Sequence, residues 1–223
     1  MKIAFSFILE FLINNFITIN ITILAAITGY LFGFYQRKKH ENRGESKVRC
    51  MLIKTFGSNE YHLFNNVTLP FKDGTTQIDH ILVSRNGIFV IEVKHYSGWI
   101  FGDSKSPKWT QVIYRVKNRF QNPLYQNAKH LHAIRDLLDF LPSENIHSIV
   151  VFTGSAEFKT PMPDNVLYIE QLVRYIRSFG TAVMSANRME FCVGRIETQR
   201  RLISGQTDIE HENYLNRKFG EIN

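Results

Sequence analysis

The chain has 223 residues, 44% hydrophobic and 21% charged, which excludes a disordered or fibrous polypeptide and leaves room for one globular domain with a substantial core. Its formal net charge of +7 favours an anionic partner, nucleic acid or an anionic lipid surface. Cys50 and Cys192 stand far apart with no CxxC, and none of the histidines falls in an HExxH pattern. Neither a disulfide framework nor a zinc site is indicated, and two reduced core thiols are expected.

From Phe11 to Tyr35 there is no charged residue, a stretch longer than the roughly 20 residues needed to cross a bilayer as a helix. This reads as one transmembrane span within an N-terminal anchor, residues 1–36. A cleaved signal peptide, with a shorter apolar core and more positive charge ahead of it, is the competing reading. Arg37, Lys38 and Lys39 follow the span at once, whereas the other flank offers Lys2, so the positive-inside rule places the remainder of the chain in the cytoplasm.

Beyond the anchor the apolar period switches between 2 and 3.6, as in a mixed α/β domain. A helix is expected over Glu41–Phe56 and a strand over Tyr61–Leu69. Asp73-Gly74 makes a turn before a strand at Thr76–Ser84, and Asn86-Gly87 is a strong hairpin signal before Ile88–Lys94. Short strands at Trp99–Phe101 and Trp109–Val116 precede Asn122-Pro123, an N-cap followed by proline at the first helical position. That helix is expected to reach about Leu141. Then come a buried strand at Ile146–Thr153, a short one at Val166–Ile169, and helices over Glu170–Phe179, Met189–Ile203 and Asp208–Phe219. Residues 37–154 form the core, and 155–223 a mainly helical extension that completes or flanks it.

Taking Asn86-Gly87 as a two-residue turn, Arg85 opposes Ile88, Ile81 opposes Glu92, and Asp79 opposes Lys94. Opposed residues share a sheet face, so Asp79, Glu92 and Lys94 project to one side with Ile81, Val83 and Val90. Leu82, Phe89, Ile91 and Val93 take the other. Asp79 and Glu92 become diagonal neighbours, about 7–8 Å apart, within reach of one cation. Burying two acids and a lysine at strand ends costs several kcal/mol per ion unless they are paired or bind a metal. An Asp79–Lys94 ion pair with Glu92 in solvent is the competing arrangement. Glu45 shares a helical stripe with Val48, Leu52 and Phe56, which turns it toward the sheet; an N-terminal acid favoured by the helix dipole would also explain it.

Gly44-Glu45, the run Thr76-Gln77-Ile78-Asp79-His80-Ile81-Leu82-Val83-Ser84, the run Gly87-Ile88-Phe89-Val90-Ile91-Glu92-Val93-Lys94, Gly98 and Asn122-Pro123-Leu124-Tyr125-Gln126-Asn127 together resemble the nuclease-related domain (NERD) family, a branch of the PD-(D/E)xK nuclease superfamily. The resemblance implies a restriction-endonuclease-like α/β fold, a mixed central sheet flanked by helices in α-β-β-β-α-β order, here with an extra hairpin around Trp99–Val116. It implies Asp79, Glu92 and Glu45 as acids holding Mg²⁺ or Mn²⁺, with Lys94 as the catalytic lysine. Gln77, Gln126 and His130 would support them. Carboxylate oxygens suit a hard cation that neutralises phosphoryl charge and activates water, and a lysine ammonium can orient that water or stabilise the pentacovalent charge.

Arg115, Lys117 and Arg119 alternate near Trp109 and Tyr114, a ribbon able to track a phosphate backbone and stack a base, or else an edge strand protected by charge. The expectation is a membrane-anchored, divalent-metal-dependent nuclease acting on DNA ahead of RNA. A non-cleaving nucleic-acid-binding module and a membrane-anchored protein-interaction domain are the alternatives.

Overall fold

The computed structural model describes residues 43–200 and, ahead of them, residues 20, 23, 24 and 27–29. The chain divides into two units, residues 1–43 and 44–223. In the first, the described residues are helical, and the Thr28 hydroxyl donates to the Leu24 carbonyl at 2.9 Å. Among the described residues no helix is long and apolar enough to cross a membrane. The span expected over 11–35 lies mostly outside the described residues, and the helix expected over Asp208–Phe219 wholly so.

The second unit begins with α1 (described over residues 43–56). Three long strands follow, β1 (Tyr61–Phe71), β2 (Gly74–Ser84) and β3 (Gly87–Lys94), then three short ones, β4 (Gly98–Phe101), β5 (Lys108–Ile113) and β6 (Val116–Gln121). After these come α2 (Pro123–Leu137), β7 (Ile146–Phe152), β8 (Ala156–Phe158), β9 (Val166–Tyr168), α3 (Ile169–Arg177) and α4 (Ala186–Gln199). They build two mixed sheets. One has the order β1-β2-β3-β7-β9 and the other β6-β5-β4-β8. β3, β7 and β9 run parallel, as do β4 and β8; the remaining neighbours are antiparallel. Two mixed sheets with flanking helices fit a nuclease-like fold.

The alternation of β2 and β3 sets the layers. Ile81, Val83, Ile88 and Val90 pack with Ala133, Ile134 and Leu138 of α2 and Met189, Cys192 and Ile196 of α4. Leu82, Phe89, Ile91 and Val93 pack with Val48, Leu52 and Phe56 of α1 and Leu172 and Ile176 of α3. A third cluster, Ile100, Trp109, Val150, Phe152, Ala156 and Val166, joins the sheets. Cys192 is buried in the first cluster, but Cys50 is exposed on α1, so only one of the two expected core thiols is in the core.

The hairpin turn differs from the expected one. The ladder runs Ser84↔Gly87, Ile81↔Val90, His80↔Ile91, so Arg85 and Asn86 make the turn. A type I′ turn at Asn86-Gly87 needs positive φ at both residues; Gly87 has φ 142°, but Asn86 is not among the positive-φ residues. Asn86 is held otherwise. Its N–H donates to the Ser84 hydroxyl at 3.2 Å and its side-chain amide to the Phe179 carbonyl at 2.6 Å. The Arg85 carbonyl accepts from the N–H groups of Val183 and Met184. Because the register moves by an even count, the residues of the paired stretch, His80–Ser84 and Gly87–Ile91, keep their faces.

The expected strand Trp109–Val116 is instead a hairpin. It turns at Tyr114-Arg115, with Tyr114 at φ 54°, and returns as β6, a strand whose polar, exposed residues carry little apolar periodicity. β8, three residues long, is too short to carry an apolar period.

Candidate active site

Three local devices bring the site together. First, the pairing of β2 with β1 skips Asp79. β1 and β2 pair at Asn65↔His80 and Val67↔Ile78, while Asn66 between them takes φ 52°, a left-handed conformation that asparagine tolerates. Both Ile78 and Ile81 then face the same apolar cluster, so strict alternation slips by one residue here. The β2–β3 ladder ends at His80↔Ile91. Asp79 sits in the fork, its carboxylate accepting from the Val93 N–H at 2.7 Å.

Second, α1 starts hard against the ends of β3 and β7. A Cβ at Gly44 would lie 2.7 Å from the Thr153 hydroxyl and 2.8 Å from the His95 Cβ, an approach only glycine allows. This delivers half-buried Glu45 close enough for its charge to act on Asp79. α1 packs on the sheet face opposite α2, so Glu45 comes to Asp79 past the end of the ladder.

Third, α2 is fixed against β3 by its N-terminal motif. The Asn122 side chain caps the Leu124 N–H at 2.9 Å and donates to the carbonyls of Asp103 and Ser106. The Asn127 amide donates to the carbonyls of Val90 and Ile149, both at 3.0 Å, and to the Ser148 hydroxyl. Gln126 and His130 are thereby aimed at the end of β3.

The resulting polar chain is buried and continuous. Lys94 Nζ lies 2.7 Å from Glu92 Oε1 and donates to Gln126 Oε1 at 2.9 Å. Glu92 is 1% exposed, and its other oxygen, Oε2, lies 3.0 Å from His130 Nε2. His130 Nδ1 in turn meets the Thr76 hydroxyl at 2.7 Å. A carboxylate only accepts, so Nε2 donates to Glu92; with that tautomer Nδ1 accepts a hydrogen bond from the Thr76 hydroxyl. The alternative Asp79–Lys94 pair with a solvated Glu92 is not what forms.

Burial, reinforced by the charges of Glu92 and Glu45, pushes the Asp79 carboxyl well above its ordinary range, against the opposing Val93 N–H and Lys94. For Glu92, burial alone would raise the carboxyl, but Lys94 and His130 together hold it low. Lys94 would lose its proton more easily through burial, yet the attraction of Glu92 outweighs this and raises it. The cluster is thus an ion pair beside a carboxyl crowded by two more acids.

Of the residues singled out from sequence, Glu45, Asp79, Glu92, Lys94, Gln126 and His130 are gathered here. Gln77 is exposed; the slip at Asp79 turns its neighbour Thr76 inward instead, and Thr76 is the participant that strict alternation missed. Trp109 is fully buried, stacked on Phe152 with its indole N–H donating to the Asp103 carbonyl. It is a core residue joining the two sheets and cannot stack a base. Arg115, Lys117 and Arg119 are exposed, Arg115 in the turn and the other two on β6. Among the described residues no group of three or more His, Cys, Asp or Glu is already gathered to hold a metal ion. The donor chemistry still fits a hard cation, because the charges of Glu92 and Glu45 both act on the buried Asp79 carboxyl and carboxylate oxygens are the ligands such a cation prefers.

The nuclease-related domain family matches residues 40–153. An uncharacterized protein of Bacillus anthracis is 34% identical over 184 residues, spanning 80% of this chain and 84% of that protein. The fold is consistent with the PD-(D/E)xK superfamily, and the chain belongs to the nuclease-related domain family.

Proposed function

We propose that the chain is a divalent-metal-dependent nuclease that hydrolyses phosphodiester bonds, in DNA ahead of RNA, and is tethered to the cytoplasmic face of a membrane through residues 11–35. The observation that carries the catalytic reading is the Glu92–Lys94 pair at 2.7 Å beside the elevated Asp79. Clusters in which environment forces neighbouring groups apart in pKa are characteristic of active sites. Family membership suggests nuclease-like chemistry and interaction with nucleic acid.

Asp79 and Glu92, with Glu45 behind them, would hold Mg²⁺ or Mn²⁺, which when bound neutralises phosphoryl charge and lowers the pKa of water. Lys94, kept protonated by Glu92 and oriented by Gln126, serves as a fixed positive donor toward the phosphoryl oxygens or the attacking water, not as a base. His130 orients Glu92 from behind.

The full chain is incubated with plasmid, single-stranded DNA and RNA, with and without Mg²⁺ or Mn²⁺. Lys94→Ala and Asp79→Ala should each lower the cleavage rate by about 100-fold or more. Cleavage that survives both substitutions would sink the enzyme reading. A second reading, a nuclease fold that grips nucleic acid without cutting, is favoured by the engagement of both Glu92 oxygens, by Lys94 and His130. Metal-independent binding with no cleavage would select it. A C-terminal reporter fusion active only outside the cytoplasm would refute the orientation.

A further inference from the structure

The second sheet has one face packed on Ile100, Trp109 and Phe158 and another left open. On the open face the register lines up two rows across three strands. Trp99 lies beside Val112, and Val112 beside Lys117; Phe101 lies beside Thr110, and Thr110 beside Arg119. Each row sets an exposed aromatic on the inner strand against an exposed cation on the edge strand. Trp99 is 50% and Phe101 38% exposed, a placement that costs a free domain apolar burial. Two strand spacings of about 4.8 Å separate aromatic from cation, and two residues, about 7 Å, separate the rows.

Other features extend the pattern. Lys159 Nζ sits 4.9 Å from the Trp99 ring centre, which helps to fix the indole. Glu157, the acid paired beside Trp99 on β8, is engaged by that same lysine. A cleft of about 570 Å³ lies between Trp99 and Tyr114. Tyr114 borders this cleft from the hairpin tip, where it is 98% exposed and takes the left-handed conformation of a tight turn.

We propose that this face is a single-stranded nucleic-acid platform, with the phosphates along Lys117 and Arg119 of β6 and successive bases stacked on Trp99 and Phe101. The repeat of one aromatic and one cation per row matches one nucleotide per row, as in other stacking platforms. It presents no array of hydrogen-bonding side chains to read base edges, so its preference is for unpaired bases and not for sequence. The proposal rests on the nuclease reading for the relevance of its ligand. It places a bound strand near the chemistry, since Trp99 follows Lys94 by a span of at most about 17 Å.

The test measures anisotropy of fluorescein-labelled oligothymidylate, and of a duplex of equal length, with the full chain in EDTA. Wild type should bind the single strand more tightly. Trp99→Ala and Phe101→Ala should each weaken it about 5- to 100-fold, with Trp99→Phe recovering most of the loss. Lys117→Ala and Arg119→Ala should each flatten the log-affinity against log-salt slope by about 0.7. Of the two tryptophans, Trp109 is sealed in the core, so binding should quench the Trp99 emission. Unchanged affinity in Trp99→Ala and Phe101→Ala with intact melting curves, stronger binding of the duplex, or no binding by wild type would overturn the platform. Lys94→Ala separates the two ideas. If it abolishes cleavage while Trp99→Ala binds normally, the platform alone fails; if cleavage survives Lys94→Ala while Trp99→Ala loses binding, the active-site reading alone fails.

Discussion

Glu92 shows how much a single side chain can be asked to do. Nearly sealed from solvent, it retains its charge only because Lys94 and His130 each occupy one oxygen. Removing the histidine leaves one oxygen unpartnered and the carboxylate free to rotate. Groups that orient a metal-binding or catalytic carboxylate typically matter by 10- to 100-fold, roughly, so His130→Ala should lower cleavage by that order and shift its Mg²⁺ requirement upward. A Mg²⁺ titration of the rate checks both; an unchanged midpoint with a uniformly lower protein yield would mark His130 as a packing residue. That Glu92 and Lys94 share a strand face was legible from their spacing of two, but which acid takes the lysine was not, since the ion pair weighed from sequence was Asp79–Lys94. The His130 contact was legible only in outline, and Thr76 not at all, because its orientation depends on the backbone of Asn66 in a neighbouring strand.

A different histidine makes stability depend on pH. His147 is wedged against Phe89 and Phe179, with ring centres 5.1 and 4.1 Å away, and burial lowers its ring below the ordinary 6.5. The unfolded chain therefore takes up the proton first as pH drops. The stability associated with neutral His147 is present above about 6.5 and is lost as pH falls from there toward the folded value. His80, lowered by burial to about 4, adds a slope of the same sign. Asp79, held high by burial, contributes a slope of the opposite sign, so the His147 part is read by difference: below neutral pH the melting temperature of the wild type should fall relative to that of His147→Phe. A steeper decline in the variant would contradict the assignment.

At the scale of elements, the helix α2 was the most readable feature. Asn122-Pro123 announces its start, and the cap forms as expected, at Asn122 Oδ1. What the pattern did not announce is that Asn127, one turn in, spends its amide on β3 and β7. Replacing it with alanine strands the Val90 and Ile149 carbonyls in the interior. The expected cost is about 2 kcal/mol, a fall of roughly 4–8 °C in melting temperature for a chain of this size. Differential scanning calorimetry would measure it, and a loss below 1 °C would show that relaxation or water replaces the bonds.

The hairpin offers the opposite lesson. Its faces were readable from alternation, but its register was not, because the choice between two adjacent turns is made by hydrogen bonds from Phe179, Val183 and Met184, nearly a hundred residues on. Short-range turn propensity is worth less than several such bonds. Likewise Trp109 reads equally well as an exposed stacking residue or a core residue, since the alternation of β5 is the same in both cases; only the Phe152 beneath it decides.

For the whole molecule, the central sheet closes on β9 and the smaller sheet on β8, both beyond the family match at residue 153. α3 seals one face of the central sheet and α4 the other. A fragment ending at residue 153 would expose the edge of β7 and of β4, uncover Phe89 and Ile149, and lose the bonds that hold the hairpin turn. Such edges template aggregation. The fragment should be insoluble or should bind a hydrophobic dye, whereas a chain ending after residue 200 should melt cooperatively; equal behaviour of the two would refute the claim.

Those two closing strands have a meaning for inheritance. β8 and β9 are three residues each and contribute backbone pairing and a few apolar contacts, demands that many sequences satisfy. The buried polar chain demands particular residue types in the hairpin and α2, whereas the closure demands only backbone pairing and apolar contacts. A lineage can therefore rewrite the closing segment freely while keeping its shape. Any transplant of the candidate-site segment into another protein must bring two parallel edge strands with it, whatever their spelling.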